Sequence, residues 1–351
     1  MADLTPEEQK VIFVVGNSRS GTTMLSQILG RSAEVCTLLE LHFFEELCAP
    51  SQLAQALAAP EATALLAQLA ARQADPYARF QGAAYAARYQ ASAESILADT
   101  PPPWQPMRLW AAFLQHTARS QSKSIPLEQT PRNVFYIQEI LTHFPNAVII
   151  HIVRDARDVI LSQKYKWRRF WGQPDTPRRL ALLFWANYHP VTMSLMWNSA
   201  VQAGDRFQGH PRVLTARFED VVAQGEAEIG RICAWLAIPW RQEMLEIPSN
   251  SSYTPGAAQT VGLQAEAAGR WQRAAGERAD LALCQYLTQT HLQRHGYPLA
   301  VSLRPGWLDW ARAGATWPLK MGLALLLNFG RTRHLLSAVK QRLTAGRSKS
   351  V

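Results

Sequence analysis

The tightest constraint on this chain lies near its start. Residues 11–15, VIFVV, form a short continuous apolar run with three valines, ended by Gly16. Such a run reads as a strand buried on both faces, as in a parallel sheet. The segment GNSRSGTT follows, residues 16–23, and TTMLSQIL then takes helical spacing. Strand, glycine-bounded turn and helix make an anion cradle, because turn amides and a helix N-terminus point their N–H groups at one place. The frame is that of a nucleotide phosphate loop: a glycine, four residues, a second glycine, then hydroxyl residues. Yet Thr22 stands where the loop lysine belongs, and Arg19 appears three places early.

A phosphoryl-transfer enzyme needs that lysine to reach the terminal phosphates, and an acid to hold magnesium. The lysine is missing, and Asp155, which follows a strand, sits behind Arg154 and imitates such an acid poorly. The departure suits transfer of a sulfuryl group, which carries less charge and needs no metal clamp. A protein cation such as Arg19 then stabilises the leaving phosphate.

The rest of the chain supplies more strand–helix units. AVIIHIVR (147–154) predicts a strand, and DARDVILSQKYKW continues as a helix. RVLTARFE (212–219) predicts another strand, with shorter strand material at SIPLEQ (124–129). Strands separated by helices imply right-handed crossovers and an α/β fold, a parallel sheet flanked by helices. Residues 45–123 are rich in Ala and Gln and predict a helical insertion over the C-terminal edge of the sheet, with PPPWQP (101–106) as a turn between helices. A main domain is expected over 1–300 and a basic amphipathic extension over 301–351.

Charge is uneven. The net charge is +9, but from Val301 onward nine Lys or Arg face one acid, Asp309, so the excess belongs to the C-terminus. The four cysteines show no metal-ligand spacing, which favours a reducing compartment. MADLTPEEQK lacks the basic and apolar regions of a secretory signal, so a cytoplasmic location is expected.

GNSRSGTTML resembles the 5′-phosphosulfate loop of sulfotransferases that use 3′-phosphoadenosine 5′-phosphosulfate (PAPS); the arginine version resembles the tyrosylprotein and many bacterial members. The resemblance implies PAPS as donor, no metal, and donor contacts from Asn17, Ser18, Arg19, Ser20, Gly21, Thr22 and Thr23. Three further segments fit it in order. In VRDARDVILS, Arg154 ends a strand and Ser162 lies about two helical turns on, a spacing similar to the family's 3′-phosphate site. In LLELHFFEEL, Glu40 stands two residues before His42 and Phe43-Phe44, similar to the Glu-x-His-Phe-Phe element of heparan sulfate sulfotransferases. The resemblance makes Glu40 the general base, with burial beside the phenylalanines raising its pKa; His42 is the rival base. LEQTPRN (127–133) resembles the Glu-Lys-Thr/Ser-Pro element, but Gln129 replaces the lysine and leaves Arg19 more of the electrostatic task. Helix capping at Thr130-Pro131 explains that segment equally.

Farther on, TARFEDV resembles a fold marker. GRWQR, after SNSSYTPGAAQTVG, resembles the loop that closes over the nucleotide; Arg270 substitutes there for a missing basic pair, and Trp271 packs either in the core or on adenine. KYKWRRFWGQ (164–173) mixes cations and aromatics, which suits either an anionic acceptor or helix-end packing. The tryptophan-bearing, basic C-terminus suits a membrane surface or a packed helix with a solvated end; its apolar run, Met321 to Phe329, is too short to span a bilayer. The acceptor hydroxyl is expected on a glycan, a lipid-linked molecule or a small molecule, with protein tyrosine as the alternative. No nucleic-acid module accompanies the basic patches. The rival classes are a phosphate-loop kinase and a nucleotide-binding scaffold without turnover.

Overall fold

In the computed structural model five strands form one parallel sheet in the order β2-β3-β1-β4-β5. The structure describes residues 5–328 apart from 76, 79–80, 82, 172–177 and 250–259. β1 is Val11–Gly16, α1 Thr22–Gly30 and β2 Val35–Thr37. The helices α2 Ala59–Ala74, α3 Ala83–Ala86, α4 Gln90–Ala98 and α5 Pro106–Ser120 follow before β3, Ile125–Glu128. After α6 (Ile137–His143), β4 (Ala147–Val153) leads into α7 (Ala156–Lys164), then α8 (Arg178–Ala186) and α9 (Pro190–Asp205). β5 (Val213–Arg217), α10 (Phe218–Ala223) and α11 (Gly225–Leu236) precede a small antiparallel pair, β6 (Pro248–Ser249) and β7 (Thr260–Val261). The helices α12 (Arg278–Arg294) and α13 (Trp307–Asn328) close the described chain.

The expected strands at 124–129, 147–154 and 212–219 are thus present as β3, β4 and β5. β1 is the central strand and is covered on both faces, which is why its sequence is apolar without alternation. Val11, Phe13 and Val15 enter one core with Trp110 of α5 and Phe144, and Ile12 and Val14 enter a second with α1 and α11. Phe13 meets Trp110 edge-on at 5.5 Å between ring centroids. The insertion packs on a sheet face through α5, whose Trp110, Phe113 and Leu114 are buried. It reaches the edge at the end of α2, where Gln73 Oε1 accepts from Leu39 N–H at 2.9 Å.

Chain order reverses beside β1. The chain leaves it toward β2 and returns through β3, then crosses to β4 and β5 on the other side. In open α/β sheets the crevice beyond the strand carboxyl ends at such a reversal is the usual ligand site. Gly16, the last residue of β1, stands opposite Ile152 there, and a Cβ at Gly16 would lie 2.3 Å from the Ile152 carbonyl oxygen. Only glycine lets the two strands approach so closely.

Candidate active site

The 17–21 turn connects β1 to α1. Ser20 N–H closes it on the Asn17 carbonyl at 3.1 Å, and Arg19 (φ 76°) and Gly21 (φ 99°) are both left-handed. Successive left- and right-handed residues turn neighbouring amides to one side, the geometry of an anion nest. At Gly21 a Cβ would also meet the Phe218 ring at 2.5 Å, so the second glycine is required on two counts. Thr22 is buried in the first turn of α1 and Thr23 is exposed. The Ser20 hydroxyl is buried with no hydrogen-bond partner among the described residues, a donor-and-acceptor group that a phosphate oxygen would satisfy.

Arg154 and Ser162 come to this turn from β4 and α7. Arg154 Nη1 donates to the Arg19 carbonyl at 3.2 Å and Nη2 to the Ala267 carbonyl at 2.6 Å. Its guanidinium lies over the Phe218 ring at 4.1 Å, and its buried Nε has no hydrogen-bond partner among the described residues. Arg19 Nε donates to Ser162 Oγ at 2.9 Å, and Gln163 Nε2 to the Ser18 carbonyl at 3.3 Å. Arg19, Arg154 and Ser162, remote in sequence, therefore share one small volume. A phosphate fits there: a hydroxyl and a guanidinium N–H lack partners among the described residues, beside an array of amides.

The TARFEDV segment does more than mark the fold. Phe218 is the shelf for Arg154 and the wall that Gly21 must clear. Glu219 accepts from Asp155 N–H at 3.0 Å and from the Tyr297 hydroxyl at 2.7 Å; burial pushes its carboxyl above the usual range. Asp155 gives both oxygens to the Arg157 guanidinium, at 2.9 and 2.7 Å, and caps α7 by accepting from Arg157 N–H at 2.9 Å. Among the described residues no group of three or more His, Cys, Asp or Glu is placed to hold a metal ion.

The closing segment is tied to α7 by a carboxylate that sequence reasoning passed over. Asp158 accepts from Gly269 N–H at 2.7 Å and from Trp271 N–H at 2.8 Å. Burial raises the Asp158 pKa, and the nearby Arg154 charge opposes that shift. Trp271 covers the Arg157 guanidinium at 3.8 Å, so of its two sequence-based placements the structure shows packing within the protein. Arg270 Nε donates to the Glu266 carbonyl at 3.2 Å, within its own loop. Most of SNSSYTPGAAQTVG lies outside the described residues.

Glu40 and His42 follow β2 at the same sheet edge. His42 Nε2 lies 3.2 Å from Glu40 Oε2, and the Glu40 side chain is 41% exposed. The expected environment of Glu40 is corrected. Phe43 stacks on Trp110 at 4.3 Å and Phe44 on Tyr136 at 4.4 Å, both inside the core, so they do not bury the carboxylate. The neighbour that matters was not singled out from sequence: Glu128, the last residue of β3, is fully buried, and burial pushes its carboxyl up to about 7. Gln129 beside it is buried, and its Oε1 has no hydrogen-bond partner. Thr130-Pro131 does begin a 3-10 turn, Pro131–Tyr136, before α6, but the Thr130 side chain makes no capping bond there and its hydroxyl donates to Glu128 Oε1 instead.

In the KYKWRRFWGQ patch Lys164 and Lys166 are partly buried, while Arg168 and Arg169 are exposed. Lys164 pairs with Glu277 and Asp280, Lys166 lies over Phe184 at 4.2 Å, and Arg168 over Tyr165 at 4.3 Å. Residues 172–173 of that patch lie outside the described residues.

The chain was compared with known proteins. The sequence model described as the sulfotransferase family matches residues 11–242. No curated protein matches. Solved structures of similar shape include the sulfotransferase domain from the curacin biosynthetic pathway, 16% identical over 83% of this chain and 99% of that one, with a TM-score of 0.49. The sulfotransferase domain from the Synechococcus PCC 7002 olefin synthase is 20% identical over 86% of this chain and 98% of that one, also at 0.49. Retinol dehydratase in complex with retinol and PAP is 14% identical over 85% and 84%, at 0.39. The family pattern runs from the first residue of β1, through the 17–21 turn and Arg154, to the 3-10 turn that begins at Gln242, and the chain belongs to the sulfotransferase family.

Proposed function

We propose that this chain moves the sulfuryl group of PAPS to an acceptor hydroxyl. The observation that carries the reading is the meeting of Arg19, Arg154 and Ser162 beside the 17–21 turn. The amides of residues 17–21, with Thr22, Thr23 and the Ser20 hydroxyl, hold the 5′-phosphosulfate. Arg154 and Ser162 take the 3′-phosphate, the group that distinguishes PAPS from ATP. Arg270 closes the nucleotide side.

In the transfer, Glu40 accepts the acceptor's hydroxyl proton while that oxygen bonds to sulfur. The bond from sulfur to the 5′-phosphate oxygen breaks and leaves its electron pair on the phosphate. Arg19 and the turn amides stabilise that charge in place, with no reorganisation during the step. His42, 3.2 Å from Glu40, orients the carboxylate and shares the proton. The test is incubation with labelled PAPS and a host extract, followed by mass spectrometry of what gains a sulfate. A sulfated hydroxyl compound supports the reading; equal turnover of ATP with magnesium, without sulfation, would replace it with the kinase class.

For the acceptor we favour a small or lipid-linked hydroxyl over an anionic glycan, because Lys164, Lys166 and Arg168 are engaged with acids and rings of the protein itself. A protein tyrosine is the alternative, and the same mass spectrometry separates them. All four cysteines are unbridged and buried, which supports a reducing, cytoplasmic setting.

A separate observation supports peripheral contact with an anionic membrane. α13 rests on α8 and α12, and its outward side carries exposed leucines together with the exposed Arg312. Leu308, Leu319 and Leu326 are 62%, 76% and 76% exposed, and their spacings of 11 and 7 residues align them along one side of the helix. Lys320 is held on the Trp185 ring at 3.0 Å, and Asp309 pairs with Arg278 at 3.7 Å. The nine basic residues after Val301 supply the matching charge. No described helix is long and apolar enough to cross a membrane.

A further inference from the structure

We propose that Glu128 is a positioning residue for the proton-accepting pair, holding residues 41 and 42 in the backbone shape that brings Glu40 and His42 together. The inference rests on the reading of that pair as the acceptor-side base.

The segment after β2 is gripped by its backbone from two directions. On the N–H side, Leu41 donates to Glu128 Oε1 at 3.2 Å. His42 N–H donates to Thr130 Oγ1 at 3.2 Å, and that hydroxyl donates in turn to Glu128 Oε1 in a short hydrogen bond. The other carboxylate oxygen accepts from Thr130 N–H at 3.0 Å and Asn133 Nδ2 at 2.7 Å. On the carbonyl side, Arg72 Nη1 donates to Leu41 at 2.7 Å and His42 at 3.4 Å, and pairs with Glu46 at 3.3 Å. Both peptide groups of the segment are thus engaged at donor and acceptor.

The grip has a conformational purpose. His42 is left-handed at φ 50°, a shape that a non-glycine residue adopts only when its surroundings hold it there. With His42 in that shape its ring turns back to Glu40, two residues earlier, at 3.2 Å. Glu128 is also a costly way to hold a loop, since a buried carboxylate must be fully hydrogen-bonded to be tolerated. Four donors aimed at its two oxygens meet that need and call for a carboxylate in particular. A glutamine offers one acceptor oxygen and presents N–H to donors on the other side. The side chain touches neither reacting atom; it acts through the backbone of Leu41 and His42.

The test uses the full chain and the substitutions Glu128→Gln, Glu128→Asp and Thr130→Val. Amide hydrogen exchange is followed in the segment around residues 41–42, and PAP formation from PAPS is followed with host-extract acceptor. In Glu128→Gln, exchange there should rise at least about tenfold, and kcat should fall about 100-fold, the scale of a misplaced catalytic group. The KM for PAPS and the affinity for PAP should stay within about twofold, because the 17–21 turn has no bond to Glu128. Glu128→Asp, which keeps the charge, should recover part of the rate, and Thr130→Val should show the same loss in smaller degree. Should Glu128→Gln fail to fold, those two variants decide the matter by the same split. Unchanged exchange and kcat in a folded Glu128→Gln, or in both milder variants, would overturn the proposal. Wild-type turnover in Glu40→Gln, with fast exchange in Glu128→Gln, would remove the base assignment while leaving the positioning intact.

Discussion

Arg19 has two tasks that a substitution can separate. Its carbonyl receives Arg154 and its side chain reaches Ser162, so it ties the turn to the second phosphate contact and also brings the charge. Arg19→Ala should lower the rate of sulfuryl transfer by about 100- to 1,000-fold, as loss of one preorganised donor to a developing charge does. Arg19→Lys should recover less than half of that loss on a logarithmic scale, because a lysine lacks the planar fork that meets Ser162 and a phosphate together. Steady-state rates with PAPS check both. Gly21→Ala should destabilise the fold by about 1–3 kcal/mol through overpacking against Phe218 and the left-handed strain, seen as a lower denaturant midpoint.

Glu128 gives a pH signature. Its folded pKa is raised by burial, from the usual 4.5 to about 7. Between those values the folded protein holds a proton that the unfolded chain has lost. This group's contribution therefore makes stability fall as pH rises from about 4.5 to about 7, and flat on either side. Denaturation curves across that window should show a declining component in the wild type that is missing in Glu128→Gln. The residue stands in LEQTPRN, one place before the departure at Gln129. An acid between a strand and Thr-Pro carries no mark of burial until the residue 87 positions earlier that it receives, Leu41, is placed beside it.

At the scale of elements, the local patterns were legible and the long-range ties were not. β1, β4 and β5 announce themselves as apolar runs because both faces of a central parallel strand are covered. β2, three residues at Val35–Thr37, is too short for a periodicity to show. Phe43-Phe44 looks the same in sequence whether it lines a site or fills a core. Here Trp110 and Tyr136 take the two rings inward. The segment 265–273 is held to α7 chiefly by Asp158, 111 and 113 residues away, a contact invisible to any local reading. Asp158→Asn offers one acceptor where two amides now donate. The variant should open that segment, with amide exchange at residues 269–271 faster by about tenfold or more if a buried amide loses its partner, while the sheet core exchanges as before.

For the whole molecule, the basic excess belongs to residues 301–351, the part of the sequence that includes α13. If that helix meets an anionic bilayer, the full chain should sediment with vesicles containing phosphatidylserine and be released by salt, as charges at a surface are screened within about 8–10 Å. Leu319→Glu with Leu326→Glu should abolish binding without changing turnover of a soluble acceptor. Equal binding to neutral vesicles, or concentration-dependent self-association with no vesicle binding, would count against the membrane.

The central claim is that Arg154 and Ser162, gathered at the 17–21 turn, select a nucleotide bearing a 3′-phosphate. Calorimetric titration of the full chain with PAP and with ADP measures it most directly. PAP should bind at least about 100-fold more tightly than ADP, since charge-assisted hydrogen bonds contribute about 1.5–3 kcal/mol each, and Arg154→Ala should erase the difference. Equal affinity for PAP and ADP in the wild type, or a preference that survives Arg154→Ala, would contradict the account.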